Sequence, residues 1–243
     1  MADQDRADIP GTSAEAGAEP FRNIARLRNH WSRPASPRAY YWYLTFADAP
    51  ELHALAARCQ QAIAFPYYDP VPPESLHLTL DRVAFGDGIT PAELDAAAAA
   101  AQRACQAIPP FAVTVGPLGG TRGAVGFTAA PARPVRDLRD ALRAATLSAC
   151  PAAPLTPHET APHVTIAYSN SDGVAAAEAI TAVEQLNATA ARAQTAVREA
   201  TLVLLERRPR SYVWRTIARI PLAGASHQPW IKPERIVGHD ART

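Results

Sequence analysis

A chain of 243 residues, 48% hydrophobic and 19% charged, can bury a substantial core as one large domain or two small lobes. Its 24 basic and 23 acidic residues leave a net charge of +1. That argues against tracking along long nucleic acid by phosphate neutralisation and leaves short pieces or ends as the nucleic acids within its reach. No apolar run approaches the roughly eighteen residues of a membrane span, and Met1 to Pro20 lacks the basic-then-apolar order of a secretory signal, so a cytoplasmic chain without membrane insertion is expected.

In chain order, residues 1–38 combine charge, Gly and Pro with little periodicity and read as a mobile leader, with Phe21 to Trp31 able to form a short helix. Tyr40 to Ala47 is aromatic and β-prone, Pro50 to Ala64 has helical spacing, and Ser75 to Phe85 reads as a strand. Thr90-Pro91-Ala92-Glu93 supplies a cap, a first-turn proline and a capping glutamate for a helix to about Ile108; Phe111 to Val115 is a strand after the Pro109-Pro110 stop. The second half repeats the order: strand Gly123 to Ala130, helix Val135 to Cys150, strand His163 to Tyr168, helix Gly173 to Asn187 and strand Ala196 to Glu206. A last strand, Ser211 to Pro221, follows a turn at Arg207 to Arg210.

Within this repeat, Leu76-His77-Leu78-Thr79-Leu80 and Pro162-His163-Val164-Thr165-Ile166 share one pattern, a His and a Thr two residues apart in strand-like sequence. Alternation puts His77 with Thr79, and His163 with Thr165, on one face of each strand. Phe111 follows His77 by the same number of residues as Val197 follows His163, and two lobes that cannot cover their own sheets would pack with equivalent strands near a pseudo-twofold axis. A lone strand His is ordinarily a half-buried residue bonded to its neighbours, but core packing has no reason to require His-x-Thr twice. Two imidazoles and two hydroxyls across a cleft suit the opening of a phosphodiester without a metal. His158-Glu159-Thr160 and His30-Trp31-Ser32 match or nearly match, without the strand context. Cys59, Cys105 and Cys150 fall in predicted helices without paired spacing and read as core residues, and no third His, Asp or Glu has metal-ligand spacing.

The paired motifs Leu76-His77-Leu78-Thr79-Leu80 and His163-Val164-Thr165-Ile166-Ala167-Tyr168 resemble those of the 2H phosphoesterase superfamily, which contains bacterial 2′,5′ RNA ligase-like proteins and cyclic phosphodiesterases. The resemblance runs from about Tyr40 to Pro221. It implies an α/β (α+β) fold, a bilobal pseudo-twofold repeat of strand-helix-strand-helix-strand units with largely antiparallel sheets around a central cleft. The expected domain is 39–224, with lobes of about 39–118 and 119–224, strand exchange between them allowed, and a tail over 225–243. It further implies His77 and His163 as catalytic residues, Thr79 and Thr165 as substrate-binding residues, no metal, no cofactor and no obligate protein partner. The substrates implied are RNA ends or small nucleotides carrying a 2′,3′-cyclic phosphate or a 2′,5′ linkage, with reversible 2′,5′ ligation as a side activity.

Several readings stay open in the sequence. Either imidazole can be the base. Asp81 falls on the His77 face of a regular strand and either tunes the site or caps a strand end. Tyr168 falls on the face opposite His163 and is core unless a bulge turns it toward substrate. Arg207, Arg208 and Arg210 either attract a phosphate or form a solvated turn, and Tyr40 to Tyr43 either stack bases or fill the core. A nucleotide or RNA-end binder without turnover, and a metal-dependent phosphohydrolase, are the competing functions. His227 to His239 carry no readable chemistry.

Overall fold

A computed structural model describes residues 21–32, 38–154 and 161–224. Four α-helices, α1 (Pro50–Ala62), α2 (Pro91–Cys105), α3 (Ala132–Ala149) and α4 (Ala177–Ala188), accompany nine strands. These are β1 (Ala39–Thr45), β2 (Tyr68–Pro70), β3 (His77–Phe85), β4 (Phe111–Gly120), β5 (Ala124–Ala130), β6 (His163–Ser169), β7 (Ala193–Val197), β8 (Glu199–Arg208) and β9 (Ser211–Pro221). Local chemistry explains the helix starts and faces. The Thr90 hydroxyl accepts from the Glu93 amide while the Glu93 carboxylate accepts from the Thr90 amide, closing the capping box of α2. Leu94, Ala97, Ala98, Ala101 and Cys105 then recur at helical spacing as its buried stripe, as Val135, Leu138, Leu142 and Ala145 do on α3.

The strands make two antiparallel sheets, ordered β3-β1-β8-β9 and β2-β6-β5-β4-β7. The halves of the chain trade elements. β4, from the first half, pairs with β5 and β7 of the second, while β8 returns from the second half to pair with β1. Helices trade too: α1 lies against β6 and β7, and α3 against β3. Each sheet therefore has apolar cover from both halves, and one core runs through Trp42, Leu78, Phe127, Val164 and Leu202. This is a mixed α+β fold of the kind expected. The strand expected over Ala196 to Glu206 is instead two, β7 and β8, divided at Arg198, because the chain crosses there from one sheet to the other.

The leader needs a correction as well. Residues 21–32 are packed against the second sheet, with only Phe21–Asn23 forming a short 3-10 helix. Phe21, Ile24 and Leu27 are buried, and the Leu27 and His30 amides donate to the Val174 and Ser169 carbonyls, each at 2.8 Å. Apolar side chains and satisfied backbone donors fasten this segment despite its charged composition. Residues 1–20, 33–37 and 225–243 lie outside the described part. Among the described residues no helix is long and apolar enough to cross a membrane.

Candidate active site

β3 and β6 lie next to one another across the interface between the sheets, and each begins at the His of its motif. His77 Nδ1 donates to the Ser75 carbonyl and His163 Nδ1 to the Ala161 carbonyl, both at 2.9 Å. The acceptor is two residues upstream in both cases, so the duplicated motif carries a duplicated orienting bond. A carbonyl can only accept, so each neutral ring keeps its proton on Nδ1 and its lone pair on Nε2. The two rings are within electrostatic reach: burial, opposed by the Ser75 hydrogen bond and reinforced by His163, lowers the His77 pKa from 6.5 to about 4. Thr79 and Thr165 are half-buried beside their histidines.

A second duplicated feature follows each Thr. Tyr43 pairs with Thr79 but Trp42 pairs with Asp81, leaving Leu80 as an extra residue on β3. On β6, Gly126 pairs with Thr165 and Val125 with Ala167, leaving Ile166 extra. A bulge at the same motif position in both strands reverses the alternation beyond it. Asp81 is thereby turned away from His77, contrary to the regular-strand expectation, and its carboxylate forms a two-point ion pair with Arg143 of α3 at 2.7 and 2.9 Å. Tyr168 is turned the other way, onto the Thr165 face, where the Thr165 hydroxyl reaches its phenol. Gly126 is needed for this geometry, since a Cβ there would lie 2.7 Å from the Val164 carbonyl oxygen and 3.0 Å from Thr165 Cα.

Arg82 is the residue that sequence reasoning missed. The bulge brings it opposite Tyr41, on the face that also carries Tyr43, and its guanidinium lies 4.7 Å from the Phe85 ring centroid. Its Nε and Nη1 are buried without a partner in hydrogen-bonding geometry. The signal was available: Arg82 and Tyr168 occupy the same position, five residues after their respective histidines, and only a bulge in both strands makes that position face the site.

The surroundings of the two imidazoles differ. His77 is 9% exposed, stacked on Tyr43 at 4.2 Å and 16°, with Trp214 edge-on at 5.1 Å. Burial between these rings disfavours the imidazolium. His163 is exposed. Of the β1 aromatics, Tyr41 and Tyr43 share the His77 side and Trp42 points to α3, donating to Thr146 Oγ1 at 3.0 Å. The arginines of the β8–β9 turn are engaged: Arg207 with the Trp31 carbonyl, Arg208 with Glu206, and Arg210 with Asp69. Cys59, Cys105 and Cys150 are buried free thiols, and among the described residues no three His, Cys, Asp or Glu side chains cluster as a metal site. His158 lies outside the described residues. His30 is brought beside Tyr168 and Tyr212, where burial, with Arg207 adding to it, lowers its pKa to about 4.

Comparison with solved structures places this architecture. TT0787 of Thermus thermophilus superposes with a TM-score of 0.60 at 21% identity, covering 78% of this chain and all (100%) of that one. Escherichia coli LigT complexed with NADP+ gives 0.55 at 20% identity, covering 77% and 99%. LigT complexed with 3′-AMP gives 0.53 at 19%, covering 76% and 98%. At these identities the likeness establishes the fold. No curated protein is similar enough in sequence to match. The family model of the 2′-5′ RNA ligase superfamily matches residues 47–209, which span both His-x-Thr motifs and more than half of the sequence, and the chain belongs to that superfamily.

Proposed function

We propose that the protein is a metal-independent phosphodiesterase of the 2H type, acting on 2′,3′-cyclic phosphates or 2′,5′-linked RNA ends or small nucleotides. The observation that carries this reading is the pair of imidazoles, one per repeat, each oriented by the same Nδ1 bond and close enough for one to shift the other's ionisation. His77, kept neutral down to about pH 4, takes a proton on Nε2 from the attacking water. The water oxygen bonds to phosphorus, the phosphorus–ribose oxygen bond breaks, and His163, entering as the imidazolium, gives its Nε2 proton to the leaving oxygen and ends neutral while His77 ends protonated. Thr79 and Thr165 donate to the non-bridging oxygens, and Arg82 adds positive charge where negative charge grows.

The adenine nucleotide and dinucleotide held by LigT support a nucleotide-sized substrate. The test is incubation with a 2′,3′-cyclic nucleotide with and without EDTA. Chelation-resistant turnover with a bell-shaped pH dependence is expected; turnover abolished by EDTA, or saturable binding without product, would overturn the reading.

A further inference from the structure

We infer that the segment Asn29–Ser32 closes one end of the cleft, so that the site takes a phosphodiester at a chain end or in a mononucleotide and rejects one inside a continuing chain. This rests on the nucleotide-directed reading above and narrows its substrate class. The segment precedes the matched family region, 47–209. Two rings separate this segment from His77: Tyr43 stacks on His77, Tyr168 packs against Tyr212 at 5.5 Å with both acting electrostatically on the Tyr43 phenol, and His30 covers Tyr168 at 4.3 Å. Trp31 packs against the same two tyrosines at 5.1 and 5.2 Å.

The closure is tied from both sheets. His30 Nε2 meets Tyr212 Oη of β9 at 2.8 Å, and the Trp31 carbonyl accepts from Arg207 of β8 at 2.7 Å. On the other side, the His30 amide donates to the Ser169 carbonyl of β6 and Trp31 Nε1 to Asp69 of β2 at 2.9 Å. Asp69 also pairs with Arg210, so one carboxylate holds the plug and joins the sheets. A polynucleotide leaving the site past Tyr168 would have to break these bonds together, taking the Trp31 indole from Asp69 and the Tyr212 hydroxyl from the His30 ring. His163, in contrast, is exposed.

The test compares binding of a 3′-phosphorylated mononucleotide with that of an end-blocked RNA carrying one central 2′,5′ linkage. It uses the full chain and two variants, a His30→Ala/Trp31→Ala double and Asp69→Asn, with folding checked by circular dichroism. The parent is expected to bind the mononucleotide at least about tenfold better, and either folded variant to shrink that preference by about tenfold while mononucleotide affinity moves by less than about threefold. Equal binding of both ligands by the parent, or an unchanged preference in both folded variants, overturns the inference. This readout does not use turnover: a parent that shows the preference but forms no product refutes the hydrolytic reading alone, and a parent that binds neither ligand refutes both.

Discussion

The half-site on β3 and the half-site on β6 share a backbone and differ in their surroundings. Both orient their imidazole through a carbonyl two residues upstream, both place a Thr beside it, and both insert a bulge immediately after that Thr. Yet His77 is sandwiched between Tyr43 and Trp214 whereas His163 meets solvent. Duplication therefore reproduces geometry, which local chain conformation dictates, and leaves ionisation to whatever the rest of the fold packs against each copy. That inequality is what a paired base and acid need.

The most severe way to break the comparison is to remove either imidazole. His77→Ala and His163→Ala are each expected to lower turnover of a 2′,3′-cyclic nucleotide by about 10² to 10⁴, measured at saturating substrate. If only one substitution matters, the halves are not an acid–base pair. Next is the bulge. Gly126→Ala puts a methyl against the Val164 carbonyl oxygen and Thr165 Cα, so denaturant unfolding should show a loss of about 1–3 kcal/mol. Residual activity should fall further than in a β3 variant of equal stability. Asp81→Asn leaves Arg143 with a weakened partner under β3 and should cost about 1–2 kcal/mol of stability with a smaller change in turnover, since the carboxylate points away from the site.

Two titrations sharpen the comparison instead of breaking it. The unfolded chain protonates His77 near 6.5 and the folded chain only near about 4, so between those values the unfolded state holds more protons. Stability must therefore fall as pH drops through that window. His30, also lowered to about 4, adds in the same direction, and urea unfolding at stepped pH reads the sum. Trp214→Ala exposes one side of the His77 ring and should raise its pKa from about 4 toward 6.5, followed by its ring resonances in an NMR titration. An unmoved His77 titration would mean that Trp214 is not what encloses this half-site.

Much of the molecule was legible in the residues. The capping box at Thr90, the helical stripes of α2 and α3 and the repeated His-x-Thr all depend on local spacing, which is a property of the chain itself. Asp81, Arg82 and Tyr168 were not legible in the same way, because a bulge is set by how two strands register against each other, and strict alternation puts all three on the wrong face. The packing of the leader is hidden in the sequence for a related reason: Phe21, Ile24 and Leu27 are too sparse to announce an element, and their burial comes from surfaces contributed by β4 and the β6 end far along the chain.

By itself the sequence determined that two strands would each present an imidazole and a hydroxyl, since side-chain alternation within a few residues is a local matter. Only the tertiary structure decided that the halves would exchange β4 and β8, that His77 would be enclosed by rings and His163 left open, and that His30 and Trp31 would lie between the sheets. Those outcomes depend on contacts between residues distant in sequence, where burial and electrostatics are set by whichever elements the fold brings together.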